Sequence, residues 1–316
     1  MLIGGLGFIG RQLVKTLSGA CECVVFSDLE GVKNAARFVG AFHPRIIVGD
    51  VTDTTLTKVI HEEQPDAVVH LAAITGLAKC NENPYRAFST NVFGTHNVVV
   101  GCLSRKTRLI FISSREVYGD SESGPTSEDA RLAPNNTYGV TKLLAERLVL
   151  WAAERYGLDY TILRLTNVYG PGGDQYNIQA MIRSALSSGV IPVFGGGQQF
   201  NLIFVEDVAA VIKACMEAPQ ASRQIFNVGS RDTLTIEDVL GKLASNIHCP
   251  FRIERREMRQ GETVSFQPSI DKLEHAFGPF AWKPFDEGLK KTIRWYEAEG
   301  NSSATYSATK DTVCAE

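Results

Sequence analysis

The chain opens MLIGGLGFIGRQLV, with glycines at Gly4, Gly7 and Gly10. Glycine takes positive φ and lets a second backbone or a ligand approach closely. Before Gly4 stand Met1, Leu2 and Ile3, which read as a short buried strand. After Gly10, the apolar residues Leu13, Val14 and Leu17 recur at helical spacing. A strand, a glycine turn and a helix N-terminus make an anion site, because free N–H groups and the positive end of the helix dipole face one point. On the glycines alone an ordinary tight turn fits equally well, so the rest of the chain must decide.

The pattern that follows alternates strands with helices. CVVFSD (23–28), RIIVGD (45–50), AVVHLAA (67–73), RLIFISS (108–114) and YTILRL (160–165) read as strands. Helical stretches separate them, Phe93 to Leu103 and Val140 to Arg155 among them. Apolar runs without alternation suit strands buried on both faces, and strict β–α alternation then gives a doubly wound parallel sheet. After NVYGPGG (167–173), glycine and proline cluster. A strand reads at QIFNVG (224–229), and helices at Ile236 to Ile247 and Asp286 to Glu299. This change of texture divides the chain into a nucleotide-binding domain over 1–167 and a mainly substrate-binding domain over 168–299, with some segments returning to the first sheet. The polar, patternless residues 300–316 are expected to be disordered.

Composition narrows the function. The formal net charge is −3, with 32 basic and 35 acidic residues, and there is no basic block to suggest nucleic acid. No run of apolar residues is long enough to span a membrane, and the apolar start lacks the basic flank of a signal peptide. Seven cysteines without a CxxC pair, and scattered histidines without metal-ligand spacing, suggest reduced thiols, no metal and a cytoplasmic location. Cys21 and Cys23 alternate as structural residues on a strand would.

Three further constellations carry chemistry. Asp28 ends the second strand, where a carboxylate can hold both ribose hydroxyls of an adenosine and repel a 2′-phosphate. Asp50, followed by Val51, closes the next strand and can flank the adenine. In TYGVTK, Tyr138 and Lys142 lie four apart, hence on one helical face. A phenol is a poor base at neutral pH, and a lysine cation one turn away favours its phenolate. Such a pair can take a proton from a sugar hydroxyl while hydride leaves the carbon. In FISSREVYGD, Ser113 and Ser114 end a central strand at the sheet edge, where such folds bind ligands. A serine hydroxyl there can hydrogen-bond a forming carbonyl, although a plain turn reads the same way.

These segments, in this order, resemble the extended short-chain dehydrogenase/reductases, the NAD-dependent nucleotide-sugar epimerases and dehydratases. The likeness rests on GGLGFIG, Asp28, GDVTD, HLAA, NVFGTHNV, SSREVYG, YGVTK, NVYGPGG, FVEDVA, IFNVGS and WKPFDEGLKKTIRWY, and runs from Met1 to about Glu299. It implies an α/β fold, a Rossmann-type doubly wound sheet with a smaller C-terminal α/β substrate domain. It implies that Gly4, Gly7, Phe8, Ile9 and Gly10 hold the NAD pyrophosphate, Asp28 the ribose, and Asp50 and Val51 the adenine. Leu71, Ala72, Ala73 and Asn91 would line the cofactor groove. Ser114, Tyr138 and Lys142 match the family's catalytic triad. Asn167 and Arg259 match residues that hold the substrate diphosphate, and a guanidinium suits that task. A homodimer, built through the helices that begin near Phe93 and Val140, is the family expectation.

The resemblance also frames the choice of reaction. The leading reading is a 4-epimerase of a nucleotide-diphosphate sugar, most readily a UDP-sugar, acting through a transient 4-keto sugar. A 4,6-dehydratase or uronate decarboxylase is the alternative, because family dehydratases use a Glu at the position of Glu116 as the C5 base. Arg115 stands beside it where dehydratases carry an acidic or hydroxyl group, and arginine donates no proton at neutral pH. A net ketoreductase and a non-catalytic NAD-binding scaffold are further readings. Lys79 lies near the expected groove without a family counterpart.

Overall fold

The computed structural model describes residues 1–35, 38, 41–120, 124–173 and 177–311. Seven parallel strands form the main sheet: β1 (Leu2–Ile3), β2 (Val24–Ser27), β3 (Arg45–Val48), β4 (Ala67–His70), β5 (Arg108–Ser114), β6 (Tyr160–Leu165) and, returning from the second half, β10 (Gln224–Val228). Their order across the sheet is β10-β6-β5-β4-β1-β2-β3. The chain moves outward from β1 to β3, then crosses to β4 and builds the other half. The reversal between β1 and β4 is the switch point at which open α/β sheets bind ligands beyond the strand C-termini.

Strand residues alternate between two cores. Leu2, Val25, Val69, Ile110 and Leu163 enter one, with Leu13, Val14 and Leu17 of the helix Phe8–Leu17 and Val208 and Ile212 of the helix Val205–Glu217. Ile3, Phe26, Val68, Leu109 and Ile162 enter the other, with Leu56, Ile60, Val98 and Val149 from the helices Thr55–Glu63, Gly94–Arg105 and Thr137–Tyr156. Burial on both faces explains why these strands read as unbroken apolar runs.

Beyond β6 the short β7 (Asn167–Tyr169) leaves the main sheet. It pairs in parallel with β9 (Gln199–Phe204), whose other edge takes β11 (Thr233–Thr235) antiparallel. β8 (Val190–Phe194) pairs in parallel with β12 (Arg252–Arg256). A third core gathers Ile182, Ile191, Leu202, Phe204, Val239, Leu243 and Leu289 around these strands. The second half is thus an α/β layer of its own, apart from the segment 205–228, which packs with the main sheet.

Local differences from the sequence expectations have local causes. β4 ends at His70 rather than Ala73, because the N–H groups of Leu71 and Ala72 both turn to Ile3 O, at 2.8 and 3.0 Å. β2 begins at Val24, so Cys21 and Cys23 precede it; Cys21 is exposed and Cys23 half-buried. The expected helix at Phe93 begins at Gly94, behind a π-helical turn, Ser89–Phe93. The last helix, Phe285–Asp311, runs past Glu299, and its backbone is helical through most of the stretch expected to be disordered. No proline interrupts residues 300–311, and extending a nucleated helix fixes only one further residue per hydrogen bond. Residues 312–316 lie outside the described part.

Candidate active site

Beyond the C-terminal ends of β1, β4, β5 and β6 lies a cleft of about 620 Å³. It brings together Gly4, Gly7, Phe8, Ile9 and Gly10 from the first turn, Leu71 and Ala73 from the end of β4, and Ser114 and Glu116 from the end of β5. Tyr138 and Lys142, Asn167, and Arg259 complete the set of expected residues on its lining. Segments separated by more than a hundred residues in the chain therefore meet at one site.

The glycine turn is backbone throughout. Gly4 has φ +77°, and a Cβ there would lie 2.6 Å from Ala72 N. At Gly10 a Cβ would lie 2.4 Å from Gly5 O, so the helix start can lie against the turn only without a side chain. Gly7 caps that helix with no side-chain bond, and its first turn carries no acidic residue. The first N–H groups are thus left to an anion, and no carboxylate opposes one.

The helix Thr137–Tyr156 starts at Asn136, whose Oδ1 accepts from Gly139 N at 2.9 Å. The same side chain turns its amide nitrogen to Glu116 Oε2 at 2.8 Å and to Gly261 O at 3.1 Å. Asn136 therefore ties the helix to the end of β5 and to the segment that carries Arg259. Tyr138 and Lys142 follow one turn apart. Ser114 Oγ accepts from Glu116 N at 3.2 Å, which leaves its proton free to be donated into the cleft. Arg259 stacks its guanidinium over the Phe194 ring, 3.7 Å from the centroid, at the exposed end of the cleft.

Five expected cofactor residues stand outside this lining, and the structure shows what each does. Asp28 is exposed and caps the helix Leu29–Asn34, its Oδ1 accepting from Gly31 N at 2.7 Å. Asp50 Oδ1 closes a turn by accepting from Thr52 N and Thr52 Oγ1, both at 2.8 Å. Val51 is buried in the core, in the space left by Gly94. Ala72 offers its backbone as the surface on which Gly4 rests. Asn91 is 1% exposed. It clamps Ile74, accepting from its N–H at 2.8 Å and donating to its carbonyl at 2.9 Å. It also donates to Thr141 Oγ1 at 2.9 Å, so it joins the loop at Ile74 to the helix Thr137–Tyr156. Its place in a π-helical turn fits the habit of such turns at functional sites.

Residues 1–229 match the sequence profile of the NAD dependent epimerase/dehydratase family. The chain belongs to this family. It is 28% identical to the UDP-glucose 4-epimerase of Lactobacillus helveticus, over 94% of this chain and 97% of that protein. To a UDP-N-acetyl-alpha-D-glucosaminuronate decarboxylase of Bacillus cytotoxicus it is also 28% identical, with the same two coverages. Its fold superposes on DesIV, a dTDP-glucose 4,6-dehydratase from Streptomyces venezuelae crystallised with NAD and TYD bound, with a TM-score of 0.86. That match has 26% identity and covers 94% of this chain and 96% of the other.

As a member of the NAD-dependent family the chain is an enzyme, and its bare glycine cradle fits the pyrophosphate of that cofactor. Behind the cradle Tyr138 is half-buried and Lys142 is buried. Lys142 is 3% exposed, and burial lowers its pKa to about 7, against the raising influence of Glu146 and Cys80. Its ammonium lies 4.3 Å from the centroid of Phe111. His70 is buried nearby, held to about 3 by burial and by the Lys142 charge, and is therefore neutral. Because Thr95 Oγ1 donates to Asn91 O, His70 Nε2 is the donor in its 3.0 Å bond to that hydroxyl.

Several members of the site escape motif reading. Asn136, Gln179 and Thr263 line the cleft without belonging to any quoted motif, and Lys79 joins them there. Beneath the cleft Ser113 donates to Glu146, which also takes Arg164 Nη2 at 2.8 Å; Arg164 Nη1 donates to Tyr118 OH at 2.8 Å. The Tyr118 hydroxyl passes on to Asn227 Oδ1 at 2.7 Å, and burial pushes its pKa up to about 12. The available signals were an arginine inside an apolar strand and a glutamate one turn beyond Lys142 on the same helix.

Proposed function

We propose that this enzyme is a 4-epimerase of nucleotide-diphosphate sugars, with UDP-sugars as its substrates. The observation that carries this reading is the state of Glu116. Its Oε1 pairs with Arg115 Nη2 at 2.9 Å, while its Oε2 accepts from Asn136 Nδ2 at 2.8 Å and Thr263 Oγ1 at 3.1 Å. A carboxylate held this way is a structural acceptor, poorly placed to collect a C5 proton. Its neighbour Arg115 cannot protonate a C6 leaving group. A dehydratase needs both actions. An epimerase needs only the chemistry at C4 and room for the keto sugar to turn over.

In this reading the Tyr138 phenolate takes the proton from O4 and later returns it. Ser114 donates its hydroxyl proton to the same oxygen as it becomes a carbonyl. Lys142, with a pKa near neutrality, exchanges protons at working pH and in its charged form favours the phenolate. NAD, when bound, would supply reversible two-electron oxidation at C4. Gly4, Gly7, Phe8, Ile9 and Gly10 would hold its pyrophosphate, with Leu71, Ala73 and the backbone of Ala72 beside it. Asp28 would hold the adenosine ribose, and Asp50 and Val51 would flank the adenine. Asn167 and Arg259 hold the sugar nucleotide by its diphosphate.

The working form in this proposal is a cytoplasmic homodimer. The helices Gly94–Arg105 and Thr137–Tyr156 pack together, and Phe93 (65% exposed), Val100, Leu144 and Trp151 (49%) leave apolar surface on and beside them. That surface suits a four-helix interface with a second copy. Among the described residues no helix is long and apolar enough to cross a membrane, and the described cysteines are free thiols. Incubation with NAD and a panel of UDP-, dTDP-, GDP- and CDP-sugars, read by mass spectrometry and NMR, tests the reaction. The expected product has the substrate's mass and differs at C4. Loss of water or of carbon dioxide overturns the epimerase reading.

A further inference from the structure

Arg115 is a charged residue of the cleft to which the epimerase chemistry gives no task. It follows Ser114 directly, opens the 3-10 turn Arg115–Val117, and lines the cleft. Only 9% of the residue is exposed. Phe266 lies under the guanidinium, 5.8 Å from the ring centroid. Among the described residues, Nη2 alone of its three nitrogens has a protein partner, Glu116 Oε1. Nε is buried and has none. A buried guanidinium with unused donors is costly in the free protein unless a ligand completes it.

We propose that Arg115 is the receptor for a carboxylate at C6 of the sugar, so that the substrate is a nucleoside-diphosphate uronic acid. This rests on the epimerase reading for the placement of C4 against Ser114 and Tyr138. With C4 fixed there, the substituents within reach of the next residue are the hydroxyl on C3 and the C6 group on C5. A neutral hydroxyl satisfies one donor and none of the charge. A carboxylate takes a forked pair of charge-assisted bonds, which is the geometry a guanidinium offers.

Glu116 does not compete for this task. Its second oxygen is taken by Asn136 and Thr263, so it fixes one edge of the guanidinium and leaves the rest to the ligand. Glu262 shares the wall, where burial pushes its carboxyl up while Arg259 and Arg115 pull it down. With Arg259 at the diphosphate and Arg115 near C6, cationic groups stand at both ends of a dianionic handle joined to an acidic sugar.

The test compares UDP-glucuronate with UDP-glucose, in wild type, Arg115→Leu and Arg115→Lys. Wild type is expected to favour the uronate in kcat/KM. Arg115→Leu is expected to lower the uronate-to-glucose ratio on the order of 10²-fold through KM, and Arg115→Lys, which keeps the charge without the fork, by less. Binding of both nucleotides to Tyr138→Phe and to Tyr138→Phe/Arg115→Leu, by calorimetry, separates recognition from turnover and from misfolding. Turnover of UDP-glucose equal to or better than the uronate overturns the assignment of Arg115 and leaves the epimerase reading standing. Release of carbon dioxide from the uronate supports Arg115 and overturns the epimerase reading. If neither sugar turns over, tighter uronate binding that depends on Arg115 supports the proposal, and equal binding overturns it.

Discussion

At the glycine loop the cleft is lined by backbone, and around Glu116 it is lined by side chains. The first region needs only the absence of Cβ atoms at Gly4 and Gly10 and a helix start whose cap is bare. The second needs Ser114, Arg115, Asn136 and Thr263 to arrive from three separate segments and meet at Glu116. A backbone site accepts any ligand with a diphosphate of the right shape. A side-chain site discriminates, because each buried donor and acceptor left unmatched is a penalty. The common step of the family can thus rest on the first region, and the choice of substrate and product on the second.

The largest expected effect cuts the chemistry away from both regions. Tyr138→Phe removes the hydroxyl placed to take the O4 proton, and losses of a general base run to about 10²–10⁴-fold in kcat. NAD and UDP should still bind with near-normal affinity by calorimetry, since neither the glycine cradle nor Arg259 is touched. Retained turnover would remove Tyr138 from the chemistry.

The second change strikes the backbone region alone. Gly10→Ala places a methyl 2.4 Å from Gly5 O, so the helix start must back away from the turn. Overpacking of this kind costs about 1–3 kcal/mol, and here that strain falls on the geometry that receives the pyrophosphate. NAD affinity, followed by fluorescence titration, should fall on the order of 10-fold or more while UDP affinity holds. An equal loss of both would show that the two regions are not separable.

The same contrast explains what was legible from the chain. The glycine loop was readable because its requirement is local: three glycines between a strand and a helix state it in full. Ser114, Tyr138 and Lys142 were readable as a family pattern on predicted elements, and the structure brings all three to one cleft. The doubly wound parallel sheet followed from strand alternation. Asn91 was expected on the groove surface and instead lies beneath it, because its three hydrogen bonds join segments whose meeting no local pattern records. The Glu146–Arg164 pair left only the two separate signals of its charged residues in apolar surroundings, since the pairing of β5 with β6 and the helix above them is what joins them. The clamp on Glu116 depends on Thr263, which lies far along the chain.

A third change probes the lysine between the regions. Lys142 is charged in the unfolded chain up to about pH 10.5 and in the folded protein only up to about 7. Between those values the unfolded state binds the extra proton, so stability contributed at this site rises with pH across that window. Below about pH 7 the folded protein carries the full penalty of a buried charge. Lys142→Met should therefore be more stable than wild type at pH 6, by denaturant titration, and the difference should shrink as pH rises toward 10. A difference that does not vary with pH would mean that Lys142 keeps its ordinary pKa in the folded protein.

The smallest expected effect concerns Asp28, which serves a local and a distant purpose at once. Its Oδ1 caps the helix Leu29–Asn34 through Gly31 N, and its charge, in the proposed function, favours the ribose of NAD over the 2′-phosphate of NADP. Alanine would remove both and confuse them. The substitution Asp28→Asn, by contrast, keeps a side chain that caps a helix as well as aspartate does and removes only the charge. Thermal stability should then be unchanged, while the preference for NAD over NADP, from paired fluorescence titrations, narrows several-fold as the repulsion is lost. If the preference survives intact, Asp28 is a cap and nothing more, and cofactor choice belongs to the backbone region. If stability falls while the preference holds, the carboxylate acts through the helix it begins.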